Sequence, residues 1–268
     1  MTFRAAQVEH FPAVRDLRAC VVLPAYHAEK TLEATLRRLP PGSCDDIILV
    51  DDASADDTIG VARQLGITVH RHPQNRGYGG NQKTCYQLAL ETEADIIIML
   101  HPDNQYDGAL VPYMAGFIKA DVVDIVLGSR IRRREEVLAG GMPLIKYVAN
   151  RVLTIMENVV LGLNLPEYHT GYRAYHRRVL ETLNFEGCSD DFVFDQQFLV
   201  QARAHGFRIG AVPVPTHYGP ESSSIPLGRS TKYAFGTIAA LGRYLLYRAG
   251  WKSQPLFARR ATAQSRAL

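Results

Sequence analysis

Two stretches decide the fold: residues 18–29 read RACVVLPAYHAE, and residues 44–58 read CDDIILVDDASADDT. Each contains a short apolar run that ends in polar residues, which is typical of a strand buried on both faces of a parallel sheet. Similar runs recur along the chain, and the predicted strands are Cys20–Leu23, Ile47–Val50, Ile67–His70, Asp95–Leu100, Asp124–Leu127 and Arg208–Val212. Segments with helical spacing separate them, so we predict an α/β fold whose mostly parallel sheet has helices on both faces.

The composition fits a globular domain of this kind. The chain has 268 residues, of which 47% are hydrophobic and 21% charged, so it can bury a substantial core and is not a disordered or collagen-like protein. Its four cysteines are widely spaced and form no C-x-x-C pair, which argues against a disulfide framework or a zinc knuckle and favours a reducing compartment.

Charge divides the chain into a body and a basic extension. From Ser222 onward the sequence has eight Lys or Arg residues and no Asp or Glu, although the net charge of the whole chain is only +3. We predict an N-terminal extension (1–17), one catalytic domain (18–225) and a C-terminal extension (226–268). The basic extension indicates an anionic partner, for which we favour phospholipid headgroups over nucleic acid.

Residues 231–251 have the pattern of an amphipathic helix. A helical wheel puts one apolar stripe opposite a polar face, and the stripe consists of Ala234, Phe235, Ile238, Leu241, Leu245, Leu246 and Ala249. Two interpretations remain open: the helix packs on the body with its charged face in solvent, or it lies in the headgroup layer of a membrane. No signal peptide or spanning segment is evident in the sequence, so we expect a cytoplasmic protein that associates peripherally with the membrane.

Polar segments follow the predicted strands at the points where ligands bind in parallel sheets. They comprise residues 24–29, 51–54, 75–83 and 101–105. Together they offer carboxylates, a glycine-bearing loop with a lysine, and a cluster of metal-ligand type, which are the parts of a nucleotide diphosphate site. The alternatives are that Asp51 and Asp52 cap the next helix and that the glycines only form a turn.

Two other nucleotide sites are less compatible with the sequence. Residues 77–82 come close to the dinucleotide fingerprint G-x-G-x-x-G, but the last glycine is replaced by Gln82 and the segment does not follow the first strand. The P-loop pattern G-x-x-x-x-G-K-[ST] does not occur in the chain.

The combination of motifs resembles the nucleotide-sugar glycosyltransferases with the GT-A fold, which is Rossmann-like. The resemblance covers roughly residues 18–225 and is nearest to the polyprenyl-phosphate branch typified by dolichyl-phosphate mannose synthase. It is carried by VVLPAY with Glu29, VDDASADDT, NRGYG, DNQ, GSR, TGYRAY and FVFD, in that order. Several spaced motifs in the right order are far more specific than any one of them.

The resemblance implies a role for particular residues. Pro24, Tyr26, Glu29 and Asp51 match positions around the nucleobase and ribose, with Asp52 beside them, while Gly79 and Lys83 belong to the loop near the diphosphate. Asp103 and Gln105 match metal-coordinating positions of a D-x-D-x-Q signature, in which a divalent ion bridges the two phosphates. Arg130 and Arg173 match positions near an acceptor phosphate.

His101 stands where that signature has its first aspartate. An imidazole is a softer, neutral ligand that suits Mn²⁺ better than Mg²⁺. Three outcomes follow: a preference for Mn²⁺, a metal held mainly by Asp103, Gln105 and the donor phosphates, or an inactive relative.

The acceptor decides whether the reaction needs a base. A phosphate oxygen is nucleophilic already, whereas a hydroxyl must lose its proton to a carboxylate, for which Asp190, Asp191 and Asp195 are the candidates and Asp195 matches best. His169, His217 and Tyr218 are expected near the same edge as structural partners. Arg132, Arg133 and Arg134 extend the positive charge next to Arg130.

The expected function is metal-dependent transfer of a sugar, with inversion, from a UDP- or GDP-sugar to a polyprenyl phosphate. The alternatives are a soluble glycosyltransferase that acts on a hydroxyl with an Asp base, and a catalytically inactive nucleotide-sugar-binding relative. The sequence leaves the oligomeric state open, a homodimer included.

Overall fold

A computed structural model describes residues 16–130, 144–216 and 227–260 of the chain. Its centre is a seven-stranded sheet with the order β3-β2-β1-β4-β6-β5-β7. The strands are β1 (Ala19–Ala25), β2 (Asp46–Asp51), β3 (Thr68–Arg71), β4 (Ile96–Met99), β5 (Ile125–Ser129), β6 (Arg173–His176) and β7 (Ile209–Pro213). The first four neighbours pair in parallel, as do β5 and β7.

Helices cover both faces of this sheet. They are α1 (Leu32–Leu36), α2 (Thr58–Gln64), α3 (Gly77–Glu91), α4 (Val111–Lys119), α5 (Leu144–Leu161), α6 (Arg177–Thr182), α7 (Phe194–Ala204) and α8 (Leu227–Arg248). Side chains alternate along β1, so that Cys20 and Val22 join a core with α3 and α7, while Val21 and Leu23 join a second core with α1 and α4. The prediction of a mostly parallel sheet with helices on both faces is confirmed.

One strand was not predicted. β6 lies between β4 and β5 and runs antiparallel to both. Its sequence is Arg-Ala-Tyr-His, and the arginine is completely buried. Four residues with two polar members show neither a continuous apolar run nor a clear alternation, so periodicity could not reveal this strand. The six predicted strands are all present, with ends that differ by one or two residues.

Helix α8 packs on the body through only one of its sides. Thr237, Ala240, Leu241 and Tyr244 are buried, and α8 contacts α5 and α7. The remaining large apolar residues of the predicted stripe are exposed, namely Phe235, Ile238, Leu245 and Leu246. Leu241 had been placed in that stripe, and the structure instead buries it against the body.

Several residues considered in the sequence lie outside the described residues: Arg132, Arg133, Arg134, His217 and Tyr218. Within the described ranges, the structure contains no helix that combines the length and the apolar character needed to cross a membrane.

Candidate functional site

A cavity of about 1230 Å³ opens where the polar segments after β1, β2 and β4 meet. This is the edge of the sheet that the strand directions predict for ligands. The cavity wall includes eleven of the residues singled out in the sequence: Pro24, Tyr26, Glu29, Asp52, His101, Asp103, Gln105, Arg130, Asp190, Asp191 and Asp195. Asp51, Gly79, Lys83 and Arg173 are not among the lining residues and lie behind the wall.

The loops after β1 and β2 are held together by hydrogen bonds from the backbone of one to side chains of the other. The His27 amide donates to Ser54 Oγ (2.9 Å), and the Ala28 amide donates to Thr58 Oγ1 (2.8 Å). His27 has a left-handed backbone with φ 56°, which is uncommon outside glycine. These bonds fix the part of the cavity wall where Tyr26 is exposed.

The two adjacent carboxylates after β2 have different environments. Asp51 is fully buried, and its Oδ2 accepts from the Ser54 amide at 3.0 Å. Asp52 accepts from the amides of Arg76 (2.8 Å) and Gly77 (3.0 Å), and from His72 Nδ1 (2.8 Å). Asp52 therefore fixes the start of α3, the helix after the following strand, and does not cap α2.

Gly79 and Lys83 support the cavity from behind. The Gly79 amide donates to the Asp190 carbonyl oxygen (2.8 Å), and a Cβ at Gly79 would lie 2.3 Å from the Ser189 oxygen. Lys83 is buried, and its Nζ contacts Asp190 Oδ1 at 2.7 Å and the Cys188 carbonyl oxygen. The ammonium group of Lys83 is thus directed at residues 188–190, and the expected role near a diphosphate stays a prediction that this direction does not favour. A sequence pattern can predict helix α3, but it does not predict the direction in which the long side chain of Lys83 points.

His101, Asp103 and Gln105 lie together in the wall, after β4. Asp103 Oδ1 accepts from the Gln105 amide at 3.1 Å, in a turn that places Asn104 at φ 56°. Burial lowers the pKa of His101, so the imidazole is neutral near pH 7 and has a nitrogen lone pair for a metal ion.

These residues fit a divalent ion only as a partial ligand set. They supply one carboxylate, one amide oxygen and one neutral imidazole. Among the described residues, no three or more His, Cys, Asp and Glu side chains are grouped closely enough to hold a metal ion by themselves. The donor set therefore suits an ion that takes its remaining ligands from phosphate oxygens.

Tyr78 joins the metal-type cluster to Asp195, and the sequence analysis missed it. Its hydroxyl donates to Asp195 Oδ2 (2.8 Å) and lies 3.4 Å from His101 Nε2, while its ring stacks on the His101 ring with 5.5 Å between centroids. Burial raises the pKa of Tyr78, so the phenol stays protonated. Its position between Gly77 and Gly79 suggested only a turn.

Arg173 lies beneath the cavity and is completely buried. Its guanidinium donates to the carbonyl oxygens of Thr170 (2.7 Å), Tyr168 (3.1 Å) and Asp195 (3.3 Å), and it lies 3.4 Å from the Asp195 carboxylate. The expectation that Arg173 contacts an acceptor phosphate stays a prediction, and these protein contacts of its guanidinium do not favour it. Arg173 instead holds Asp195 in place.

The other two candidate bases are paired with lysines. Asp190 accepts from Lys83, and Asp191 Oδ2 accepts from Lys232 of α8 at 2.7 Å. Asp195 is the most buried of the three, and its Oδ1 makes no hydrogen bond within the part of the chain that the structure describes.

Arg130 marks the opposite end of the cavity. Its amide and Nε donate to the carboxylate of Glu167 at 2.8 Å and 3.1 Å, and Glu167 is completely buried. A buried carboxylate orients the guanidinium where His169, Lys232 and Tyr233 also line the wall. The cavity thus combines a carboxylate and metal-type region with a region of basic side chains, each paired with a carboxylate.

The chain is similar in sequence to known proteins whose class is consistent with this cavity. The sequence profile of glycosyl transferase family 2 matches residues 20–183. The chain is 27% identical over 247 residues to the UDP-N-acetylglucosamine–dolichyl-phosphate N-acetylglucosaminyltransferase of Methanococcus voltae, an alignment covering 85% of this chain and 93% of that protein. It is 26% identical over 208 residues to the undecaprenyl-phosphate mannosyltransferase of Micrococcus luteus, covering 74% and 83%.

The fold resembles that of glucosyl-3-phosphoglycerate synthase from Mycobacterium tuberculosis. The TM-score is 0.67 at 21% identity, over 85% of this chain and 80% of that chain. The architecture and the cavity at the strand ends define a glycosyltransferase of the GT-A class. The chain belongs to glycosyl transferase family 2.

Proposed function

We propose that the protein transfers a sugar from a UDP- or GDP-sugar to a polyprenyl phosphate at a membrane surface, with the help of Mn²⁺ or Mg²⁺. The observation that carries the proposal is the cavity itself, which joins the Asp103 region to the Arg130 end beside a helix whose apolar side is exposed. The relatives from M. voltae and M. luteus are named for transfer to dolichyl and undecaprenyl phosphate, which supports this acceptor class.

The donor would occupy the side of the cavity formed by the first two loops. Pro24, Tyr26 and Glu29 would surround the base and ribose there. Asp103, Gln105 and His101 would hold the metal ion, which supplies positive charge for the departing nucleotide diphosphate. The structurally similar M. tuberculosis synthase has been crystallised with UDP and Mn²⁺ and with UDP and Mg²⁺, which supports a divalent ion in this class of site.

The acceptor would enter at the Arg130 end. Arg130 would supply positive charge for the phosphate, while Glu167 and the His169 carbonyl oxygen, which accept from its Nε and Nη2, hold the guanidinium in place. The phosphate oxygen is then the nucleophile, so displacement at the anomeric carbon needs no strong base. We expect inversion, as in a single direct displacement.

Exposed apolar residues on two neighbouring helices support a membrane partner. Besides the stripe on α8, helix α5 exposes Leu144, Ile145, Val148, Val152, Ile155 and Val159, and these side chains are between 49% and 77% accessible. Cations accompany both stripes, among them Lys146, Arg151, Arg243 and Arg248. Within the two helices the only acidic residue is Glu157, which is buried. Apolar stripes flanked by cations suit an anionic lipid surface.

The test is a transfer assay with purified protein. UDP- and GDP-sugars are each paired with a polyprenyl phosphate, the matching polyprenol, and 3-phosphoglycerate, in Mn²⁺, Mg²⁺ or EDTA. We expect product only with the phosphorylated lipid, and none in EDTA. Equal transfer to the polyprenol would contradict the phosphate as nucleophile, and metal-independent transfer would contradict the metal.

A second candidate is transfer to a hydroxyl of a small molecule, with Asp195 as general base. The buried Oδ1 of Asp195, which makes no hydrogen bond in the described ranges, favours this candidate. Product with 3-phosphoglycerate or another small acceptor, and none with lipid, would support it. An inactive nucleotide-sugar-binding relative would show donor binding without transfer to any acceptor.

A further inference from the structure

Beside Arg130, side chains from three separate segments form a connected chain: Glu157 from α5, His169 from the segment before β6, and Tyr233 from α8. His169 Nδ1 lies 2.7 Å from the Tyr233 hydroxyl, and His169 Nε2 lies 3.3 Å from Glu157 Oε2. The rings of His169 and Tyr233 meet edge to face, 5.3 Å apart. His169 and Tyr233 both line the cavity.

Burying the carboxyl group of Glu157 at this position costs free energy. The residue is completely buried, and its carboxylate makes no hydrogen bond of good geometry within the described residues, so the imidazole of His169 is its polar contact. Burial raises the pKa of Glu157, and the neighbouring His169 opposes that rise. Buried acids usually have hydrogen-bonding partners. Because the His169 imidazole is the polar contact of the Glu157 carboxyl group, we expect this imidazole to have a role in the protein.

The backbone around His169 is fixed by two arginines. Arg130 donates to the carbonyl oxygen of His169 itself, and Arg173 donates to the carbonyl oxygens of Tyr168 and Thr170 on either side. His169 is therefore in direct hydrogen-bond contact with Arg130 through its carbonyl oxygen. On its other side the ring contacts α5 and α8, the two helices with exposed apolar stripes.

We infer that His169 is a positioning residue that joins α5 and α8 to the Arg130 end of the cavity, so that α8 forms part of the acceptor site. The inference rests on the proposed function, since it assigns the Arg130 end to the acceptor. In this arrangement the Tyr233 hydroxyl connects α8 to His169. The donor side, near Tyr26 and Asp103, should be insensitive to this connection.

Tyr233→Phe tests the connection, because it removes one hydroxyl and keeps the ring. Tyr113→Phe, at an exposed tyrosine on α4, is the matched control. With a polyprenyl phosphate in detergent micelles, we expect Y233F to raise the acceptor KM by about tenfold, the size of one lost hydrogen bond. The donor KM should match that of wild type and of Y113F, while the melting temperature falls by the few degrees expected of one lost internal hydrogen bond.

The outcomes separate this inference from the proposed function. Absence of transfer by wild type would overturn the proposed function. Transfer by wild type with an unchanged acceptor KM in Y233F would overturn the inference alone. A similar rise in both KM values would also overturn it, since that pattern indicates only a structural contact.

Two substitutions of His169 provide a rescue test. An asparagine nitrogen can occupy nearly the place of Nδ1, so His169→Asn should keep the contact with Tyr233, whereas His169→Ala removes it. We expect H169A to raise the acceptor KM and H169N to recover most of the loss. Equal acceptor KM values for H169A, H169N and wild type would show that the ring does not position this end of the cavity.

Discussion

At the scale of single residues, Asp195 differs from Asp190 and Asp191 in what surrounds it. Asp190 and Asp191 are each paired with a lysine. Asp195 lines the cavity between the Tyr78 hydroxyl and the buried Arg173 guanidinium. A carboxylate held in this way cannot be replaced by a neighbour, because neither lysine-bound aspartate reaches the same contacts.

For a hydroxyl acceptor, where Asp195 would be the general base, we expect Asp195→Asn to lower kcat by about a hundredfold, the size typical of losing a positioned acid-base group, whereas transfer to a phosphate acceptor should lose less. Asp191→Asn, which removes an exposed ion pair with Lys232, should leave kcat within about threefold of wild type. Steady-state kinetics at saturating donor measures both. A larger loss in D191N than in D195N would mean that the cavity floor is not where the reaction depends on a carboxylate.

His101 offers a test of the metal preference. His101→Asp replaces a neutral imidazole by the hard, charged ligand that Mg²⁺ favours. We expect the ratio of Mg²⁺-supported to Mn²⁺-supported turnover to rise by about tenfold, within the range known for changes around metal ligands. Metal titrations of wild type and H101D measure the ratio, with Asp103→Asn as the control that should weaken both ions. An unchanged ratio would remove His101 from the proposed ligand set.

The sequence located most of the cavity wall but not the direction of individual side chains. Residues that follow a strand directly, such as Pro24, Asp52 and Asp103, were placed in the wall because strand ends fix their position. Arg173 and Lys83 lie inside β6 and α3, where a long side chain can reach either the cavity or the protein interior. Tyr78 was missed because its role depends on Asp195, which is distant in the chain.

At the scale of secondary structure, the contact between α3 and the 188–190 loop depends on a glycine. A Cβ at Gly79 would lie 2.3 Å from a backbone oxygen and 2.8 Å from Phe194 Cβ, neither of which is the flexible end of a side chain. At Gly116 in α4, a Cβ would meet nothing within 4 Å.

We expect Gly79→Ala to destabilise the protein by about 1 to 3 kcal/mol through overpacking. Gly116→Ala should stabilise it by up to about 1 kcal/mol, because alanine favours the helix more than glycine. Thermal or urea unfolding measures both. If G79A were as stable as G116A, the close approach of α3 to the loop at residues 188–190 would be wrong.

The strands that could be predicted share a local run of apolar residues and not a common degree of burial, since β3 and β7 are edge strands with partly exposed residues. β1 is a run of seven buried residues, and its apolar sequence reveals this directly. β6 is buried as well, but it accommodates Arg173 because Asp195 and three carbonyl oxygens satisfy the guanidinium. Asp195 comes from another part of the chain, so the local pattern around Arg173 does not reveal this partner.

At the scale of the whole molecule, the exposed stripes of α5 and α8 give the protein one distinctive side. A second copy of the chain is an unfavourable cover for it, since a twofold contact would bring the same cations together. An anionic bilayer satisfies both the apolar residues and the cations.

We expect the purified protein to bind anionic vesicles and to be released by high salt. Replacing Val152 on α5 and Phe235 on α8 by glutamate should weaken binding by roughly tenfold or more, given the apolar area that each buries. Phe117→Glu, at an exposed phenylalanine on α4, is the control. Vesicle sedimentation measures binding. Wild-type dimerisation through these stripes, lost in the double variant, would contradict the membrane assignment.

The position of β6 has a consequence for how the chain is made on the ribosome. β4 and β5 are complete by residue 129, yet they have no partner on their facing edges until residues 173–176 emerge between them. At roughly 5 to 20 residues per second, the nascent chain waits several seconds with two unprotected edges. Open strand edges attract other unfinished chains, so we expect this protein to depend on chaperones during synthesis more than a sheet that is filled in sequence order.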